Sequence, residues 1–572
     1  MKKYIYISFI SLILNTGCID NLLDQTATTK ISSDTFWSSI DDAIKGTNAV
    51  YNSTRNTFKE TFRLDQFPSG DLIFQNESPT DAKITKTYWS KCYSAINRIN
   101  NALFNLQEFK KKVSKEEDIK LLERLEGECR FMRALHYFFM IDLWGDVPYL
   151  DHVPTLEEAY SMYRTPIDEI RNKILEDFQI AIKNLPPYYE SDEDKGRVTR
   201  AAAYSYRGKF QLFWACWKKN GRPELKGFST DINEANQYYQ KAADDFKEVM
   251  KEEYKLGLFR DGEPGDENDP NYRQLFSYEN EKCQEIIFSI QFAGPILGQG
   301  ENLCQVLGNS SVSNGMCGVM PTNYLVDLYQ DLNNGDYCTP VTLSPDEEGK
   351  NSATNPETYK NRDYRMRSTV MWNGQKMKSI SKDGLTFGKE VTFWFGNKGN
   401  GFVNYRSAKT GYIFRKYVKQ YTGFARGDGP QDIYLMRYAD VILMYCEAIN
   451  EIKGPTDELF SLINKIRHRG NLPELNKTKF KDKGSFFEAI IQERSVEFPL
   501  EGKRFFDIRR WRIAEKIWNY PNGRTLYSTQ NTFIQDQYTN PTDRTFPRYY
   551  IYNIPEDERI HNQNLTQNEP WL

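Results

Sequence analysis

Histidine is scarce in this chain: four residues in 572, at positions 136, 152, 468 and 561. They are too scattered to assemble a His-centred active site from local sequence. The usual catalytic and nucleotide signatures are absent too: there is no H-E-x-x-H, no G-x-S-x-G and no P-loop. Cysteine is limited to nine residues, with no C-x-x-C pair and no Cys/His cluster at zinc spacing, which removes the common structural zinc modules. No sign of charge dominates. The 75 basic and 78 acidic residues leave a net charge of -3 in close mixture, so the chain presents no electrostatic surface for nucleic acid. Long apolar runs are missing beyond the first residues: mean hydropathy is -0.68, and no later segment reaches the roughly 20 apolar residues that cross a bilayer.

What the chain has in excess is aromatic surface. Tyr, Phe and Trp number 36, 35 and 10 and make up 14% of residues, more than a core needs, so part of this set is expected as surface platforms. The first 17 residues form a short targeting pattern. Lys2 and Lys3 give a positive start, Tyr4 to Leu14 an apolar stretch too short to span, and Thr16-Gly17 a small-residue pair before Cys18. This resembles the lipobox of bacterial lipoproteins, in which the cysteine becomes the lipidated N-terminus. A multiply acylated Cys18 would anchor the chain without a transmembrane helix, since each buried methylene contributes about 0.8 kcal/mol. We therefore read 1-17 as a signal peptide and 18-33 as a lipidated tether. Of the other cysteines, Cys129, Cys216 and Cys446 fall in helical apolar patterns as buried thiols. Cys304, Cys317 and Cys338 lie in an irregular stretch where pairing in an oxidising compartment stays open.

Helical periodicity dominates residues 34-255. In IDEIRNKILEDFQIAIKNLP, Ile167, Ile170, Ile174, Phe178, Ile182 and Leu185 recur every three or four positions, and Pro186-Pro187 stops the helix. The next helix starts near Thr199 as cap. Others cover about 34-57, 85-110, 115-143 and 233-251, and short turns make neighbours antiparallel. Ala134, Ala202, Ala242, Ala439 and Ala448 would allow close approach, as in tetratricopeptide hairpins. From about 256 to 431 the pattern changes to glycines, aromatics and short alternating strands such as EIIFSIQF and TGYIFRKYVKQY. Helices return at 432-452, at 457-469 and from Ser485, where Ser485 and Glu488 read as a capping box.

The stretch QERSVEFPLEGKRFFDIRRW sets Glu493, Arg494, Glu497, Glu501, Arg504, Asp507, Arg509 and Arg510 among apolar residues. Two carboxylates some 5 to 9.5 Å apart would suit glycoside hydrolysis. The alternation of acids and arginines at spacings of three and four favours mutual pairing instead, with Arg437, Asp440 and Glu447 as further partners.

At this point the segments carry a resemblance. FWSSIDDAIKGTNAVYN (36-52), YWSKCYSAINRINN (88-101), GECRFMRALHYFFMIDLWGDVPYL (127-150), GRVTRAAAYSYRGKFQLF, RYADVILMYCEAIN, LINKIRHRG, ERSVEFPLEGKRFFDIRRW and the ending IYNIPEDERIHNQNLTQNEPWL resemble, in order, the signatures of the SusD/RagB outer-membrane lipoproteins of Bacteroidetes. The resemblance implies a mainly α fold of tetratricopeptide-like hairpins with a loop-rich middle, 34-255 and 256-572 forming one globular unit. It also implies a surface-exposed, lipid-anchored protein of the outer membrane that captures a glycan or other nutrient and passes it to a SusC-like TonB-dependent transporter. Neither catalysis nor a cofactor is implied. A peptide-binding role, as in RagB-like relatives, is the alternative, and a carboxylate-based surface glycosidase a third reading.

In such a family ligand contacts come from variable loops. Sugars present apolar C-H faces and dense hydroxyls, so aromatic platforms beside Asn, Asp, Gln or Arg are the residues to seek. PSGDLIFQNESPTD offers Asp71, Phe74, Gln75 and Asn76; the aromatic middle offers Trp372, Trp394, Phe395 and Tyr405. RDGEPGDENDPN lacks the D-x-D-x-D-G order and reads as a solvated acidic loop, with calcium at Asp261, Glu263 and Asp266 as its alternative.

Overall fold

A computed structural model describes residues 36-61, 64, 71-75, 81-294, 300-308, 318-341, 351-353, 355-381, 386-393, 412-418, 422-424, 427-514, 525-529, 532-536 and 548-572. Six longer helices build the N-terminal half: α1 (Ile40–Phe58), α2 (Asp81–Lys110), α3 (Glu116–Trp144), α4 (Ile167–Asn184), α5 (Arg200–Asn220) and α6 (Ile232–Val249). They pack as successive hairpins, α1 on α2, α3 on α4 and α5 on α6.

Local chemistry sets their ends. Ser39 and Asp42 close a capping box on α1, although the sequence pattern places the helix start at 34. Thr199 caps α5 by accepting from the Ala202 amide at 3.2 Å, as its sequence predicts. The expected face of α4 is the buried one, Ile167, Ile170, Ile174, Phe178 and Ile182, with Leu185 following it. Between α5 and α6 the approach is so close that a Cβ added at Gly208 would stand 2.8 Å from the Phe246 ring. All five predicted small alanines are fully buried.

The helical array resumes with α7 (Tyr438–Lys453), α8 (Asp457–His468), α9 (Lys483–Glu497) and α10 (Arg504–Arg510). Helix α7 packs directly on α6 and pairs with α8, so residues 250-437 enter as an excursion between two neighbouring hairpins. The strands of that excursion, with β1 (Ile73–Gln75) from between α1 and α2, form two-stranded antiparallel ribbons: β1 with β3 (Val319–Pro321), β2 (Ile286–Ile290) with β8 (Ile433–Arg437), β4 (Val370–Met371) with β7 (Ile413–Phe414), and β5 (Lys376–Ile380) with β6 (Phe387–Thr392). A fifth, β9 (Thr525–Thr529) with β10 (Thr532–Asp536), follows α10. Among the described residues the main core is one continuous apolar cluster that takes residues from both halves of the chain, with Ile508, Ala514 and Tyr550 forming a small second one.

Two expected boundaries differ. Residues 433-437 form β8, not the start of a helix: all five are buried, four of them pair with β2, and the helix begins only after Arg437, which is still extended. The cap of α9 is Asp482, whose carboxylate accepts from the Ser485 amide at 3.0 Å. Ser485 is the third helical residue of that box and not its cap. Cys338, together with Cys92, Cys129, Cys216, Cys283 and Cys446, is a free thiol, which removes Cys338 from the expected pairing set; Cys317 and the side chain of Cys304 lie outside the described residues.

Candidate functional site

The charged stretch of α9 and α10 becomes a buried ionic lattice. Glu497 stands at its centre: one carboxylate oxygen accepts from Arg437 at 3.1 Å and Arg469 at 2.8 Å, the other from Arg365 at 3.2 Å. Glu501 pairs with Arg437 at 2.8 Å and with Lys416 at 2.7 Å. Glu285 binds Arg437 and Arg469, while Glu493 binds Arg467 and Arg365, and Asp363 also binds Arg365. Five cations therefore face five carboxylates, none of them more than 5% exposed. Burial pushes the Glu501 carboxyl up, but Arg437 and Lys416 outweigh it and hold the group below its ordinary range. A second knot joins Arg494 to Asp440 and Asp507, and Arg510 to Asp507 and Glu447. Glu497 and Glu501 are thus buried and committed to guanidinium and ammonium partners, not free to act as the acid and base of a glycosidic cleavage.

Asp71, expected as a ligand contact, belongs to the same chemistry. Its side chain is 5% exposed and accepts from Arg504 at 2.7 Å, and its carbonyl accepts from the Thr322 hydroxyl. This pins the base of the β1–β3 ribbon to α10 and leaves no free oxygen for a sugar. Phe74 and Gln75 lie in β1, paired with Met320 and Val319; their side chains, with Asn76, lie outside the described residues. Trp372 also turns inward. It is 6% exposed, with its ring 5.2 Å from that of Tyr359, whose hydroxyl lies 3.0 Å from the Tyr412 hydroxyl. Trp394, Phe395 and Tyr405 lie outside the described residues, as does Cys18.

The structure nevertheless brings the two predicted regions together. Tyr412 donates to Asn323 at 3.3 Å, just beyond β3. Strand β3 packs against β7, which pairs with β4 immediately before Trp372. The β1 loop and the aromatic middle therefore share one foundation of paired ribbons.

A separate cavity of about 270 Å³ is lined by Arg273, Gln274, Phe276, Ser277, Arg415, Lys416, Tyr417 and Gln431, with Asp269 and Glu279 at its rim. Arg415 follows β7; among the described residues its side chain donates to Gln375 at 3.5 Å and has no carboxylate within ion-pair distance. Burial first, then the neighbouring Arg273 charge, push its guanidinium down from the usual arginine value. Gln431 is 3% exposed and its side-chain amide nitrogen has no acceptor among the described residues; a buried donor left so costs about 1–3 kcal/mol. These residues escape sequence reading because Arg415 sits in what reads as a plain strand and no spacing relates it to Arg273.

The acidic loop does not converge on a cation. Glu263 faces His468 at 3.2 Å, Asp266 accepts from the Asn268 amide in its own turn, and Asp261 occupies a left-handed position with φ 55°. Among the described residues no group of three His, Cys, Asp or Glu is placed to hold a metal.

With the geometry laid out, comparison with known proteins decides the family. The family model described as "SusD family" matches residues 284–571, half of the chain. The chain belongs to the SusD family. A second model, described as "Starch-binding associating with outer membrane", matches residues 20–212, so the SusD-family likeness runs nearly end to end and carries an association with the outer membrane. SusD-like protein P2 of Formosa agariphila is 24% identical over the full length of both chains. Starch-binding protein SusD of Bacteroides thetaiotaomicron is 21% identical over 90% of this chain and 86% of its own. A SusD-like carbohydrate-binding protein of Bacteroides fragilis superposes with a TM-score of 0.71 at 21% identity, covering 93% of this chain and all of that one. A laminarin-binding SusD-like protein gives 0.62 at 20% identity, covering 92% and 99%. The mainly helical SusD-like fold accords with both superpositions. Among the described residues no helix is long and apolar enough to cross a membrane.

Proposed function

We propose that this SusD-family protein binds a glycan at the outer face of the outer membrane, held there by acylated Cys18, and hands it to a SusC-like TonB-dependent transporter. The observation that carries the reading is family membership along nearly the whole chain, joined to relatives whose names record starch and laminarin binding. The ribbon foundation at β1–β3 and β4–β7 supports it, because it fixes the stems of the segments that hold Phe74, Gln75, Asn76, Trp394 and Tyr405. The protein captures its ligand and does not cleave it: the carboxylates best placed in sequence for hydrolysis are buried in ion pairs.

The test is migration of the purified protein in native gels containing soluble polysaccharides. Retardation by one polymer, lost on Trp394→Ala, is the expected result. Failure with every polymer while a peptide library is retained would replace glycan by peptide. For the anchor, Cys18→Ala is expected to abolish fatty-acid labelling, and continued labelling would refute it.

A further inference from the structure

We infer that the cavity around Arg273, Arg415 and Gln431 is a second saccharide subsite, one that selects an anionic sugar residue through its carboxylate or sulfate ester. The inference rests on the glycan-binding reading above and adds a ligand class and a place to it.

Three features point to an oxyanion. First, two guanidiniums share one small cavity in which, among the described residues, a single long ion pair, Asp269 with Arg273, is the carboxylate contact to either of them. Arg415 has its long contact to Gln375, and Arg273 spends its terminal nitrogens on the Asn268 and Arg367 carbonyls, at 2.7 and 3.1 Å. The nearest acid, Asp269, reaches Arg273 only at 3.6 Å from an exposed position, and Glu279 is exposed at the rim. In the neighbouring lattice every arginine has its acid at 3.2 Å or less. Second, the side-chain Nε atoms of Arg273 and Arg415 and the amide nitrogen of Gln431 are buried donors with no acceptor among the described residues. An acceptor-only group with several oxygens satisfies such a set, and a guanidinium fork matches a carboxylate or sulfate edge. Third, Lys416 does not compete for the anion, because it is held by Glu501 at 2.7 Å.

The rest of the lining suits a sugar and not a bare ion. Phe276 and Tyr417, both buried, meet edge to face at 5.2 Å behind one wall and give it an apolar edge against which a pyranose C-H can rest. Ser277, Ser368 and Gln274 supply hydroxyl and amide partners on the others. A volume of about 270 Å³ lies just below the ~300–1,000 Å³ of ordinary small-molecule pockets, which fits a single terminal or branching unit and not a polymer segment.

The experiment is calorimetric titration of the purified protein with four sugars and two bare ions: glucuronate and glucose, galactose 6-sulfate and galactose, acetate and inorganic sulfate. At least one charged sugar is expected to bind ten times or more tighter than its neutral partner and than the bare ion. Which charged sugar wins distinguishes uronate from sulfate ester. Arg415→Gln is expected to erase that preference. Gln431→Leu, which keeps both cations, is expected to reduce it several-fold, so the test survives if one variant misfolds. Equal binding of charged and neutral sugars, a preference untouched by both variants, or bare ions binding as tightly as the sugars would each overturn the inference. Retardation of the wild-type protein by a neutral polysaccharide is scored beside it. If that persists while the charged preference is absent, only the subsite fails; if no glycan of any kind binds, the underlying reading fails.

Discussion

The hairpin pair α3–α4 and the junction between the ribbon excursion and α9–α10 are equally buried but held by opposite chemistry. In α4 an isoleucine and phenylalanine stripe packs on α3, and each such side chain contributes roughly 1.5–3 kcal/mol without regard to exact direction. At the junction Glu497, Glu501, Arg437, Arg365 and Arg469 meet at fixed angles. Removing such groups from water is costly, and they are tolerated because the charges balance and almost every oxygen is used. The contrast reflects what each segment can do alone. A helix hairpin brings its own apolar face, whereas two-stranded ribbons of two to six residues are marginal by themselves and need an outside clamp. A directional clamp also fixes where each ribbon sits, which matters for a foundation that positions binding loops.

The largest test removes the clamp's centre. Glu497→Ala strands three arginines and is expected to destabilise the protein by about 3–5 kcal/mol in urea unfolding. Hydrogen exchange should then rise first at β8 and residues 363–369 while α4 stays protected. Uniform loss of protection would break the comparison. The second test is acid. Burial pushes His136 down to about 4, between the Met132 carbonyl at 2.7 Å and the Thr57 hydroxyl at 3.3 Å. With a folded value below the ordinary 6.5, the unfolded chain binds the extra proton, so stability is full above 6.5 and declines as pH falls toward 4. The expected loss is about 3 kcal/mol at ~1.4 kcal/mol per unit. Glu501 and Glu285 are likewise held low, by arginine partners, but their contribution is lost only below the ordinary glutamate value of 4.5. Between pH 6.5 and 5 the stability of wild type relative to His136→Leu should therefore fall, since every other titrating group is common to both, with the junction giving way only in stronger acid. Over the same range Glu281 and Asp432 beside β2–β8 act in the opposite sense: burial pushes both up, so their contribution is present at low pH and is lost as pH rises through their folded values.

The hairpins were legible because their information is local. Ile167 to Leu185 announce their face by spacing, and Thr199 announces its cap by type. The junction was legible only in kind. Arginine–acid alternation in α9–α10 does yield the Arg494–Asp507 and Arg510–Asp507 pairs. Glu497, however, finds Arg365, Arg437 and Arg469 on three other elements, and Asp71 finds Arg504 from the far end of the chain. No spacing encodes such meetings. For the same reason Asp71 and Trp372 looked like ligand contacts: polarity and aromaticity are visible in a loop, but burial is decided by what packs on it. Arg415 and Gln431 show the reverse: nothing in their spacing marks them, and what sets them apart is the set of partners they lack among the described residues.

Smaller substitutions sharpen the contrast further. Thr199→Ala removes a single cap bond and is expected to cost about 1 kcal/mol, seen as a modest drop in the urea midpoint with α5 fraying at its start in hydrogen exchange. Least of all is Lys86→Ala. Its ion pair with Asp557 joins the start of α2 to the C-terminal segment, yet both side chains are more than half exposed. Water and salt already screen that pair, so the variant is expected to melt with the wild type. Lys86 and Arg437 carry the same charge and each faces a carboxylate. If Lys86→Ala melted as low as Glu497→Ala, charge pairing itself would be what holds this fold. If it melts unchanged, the decisive quantity is burial, because only a buried partner is left with no solvent to replace what was removed.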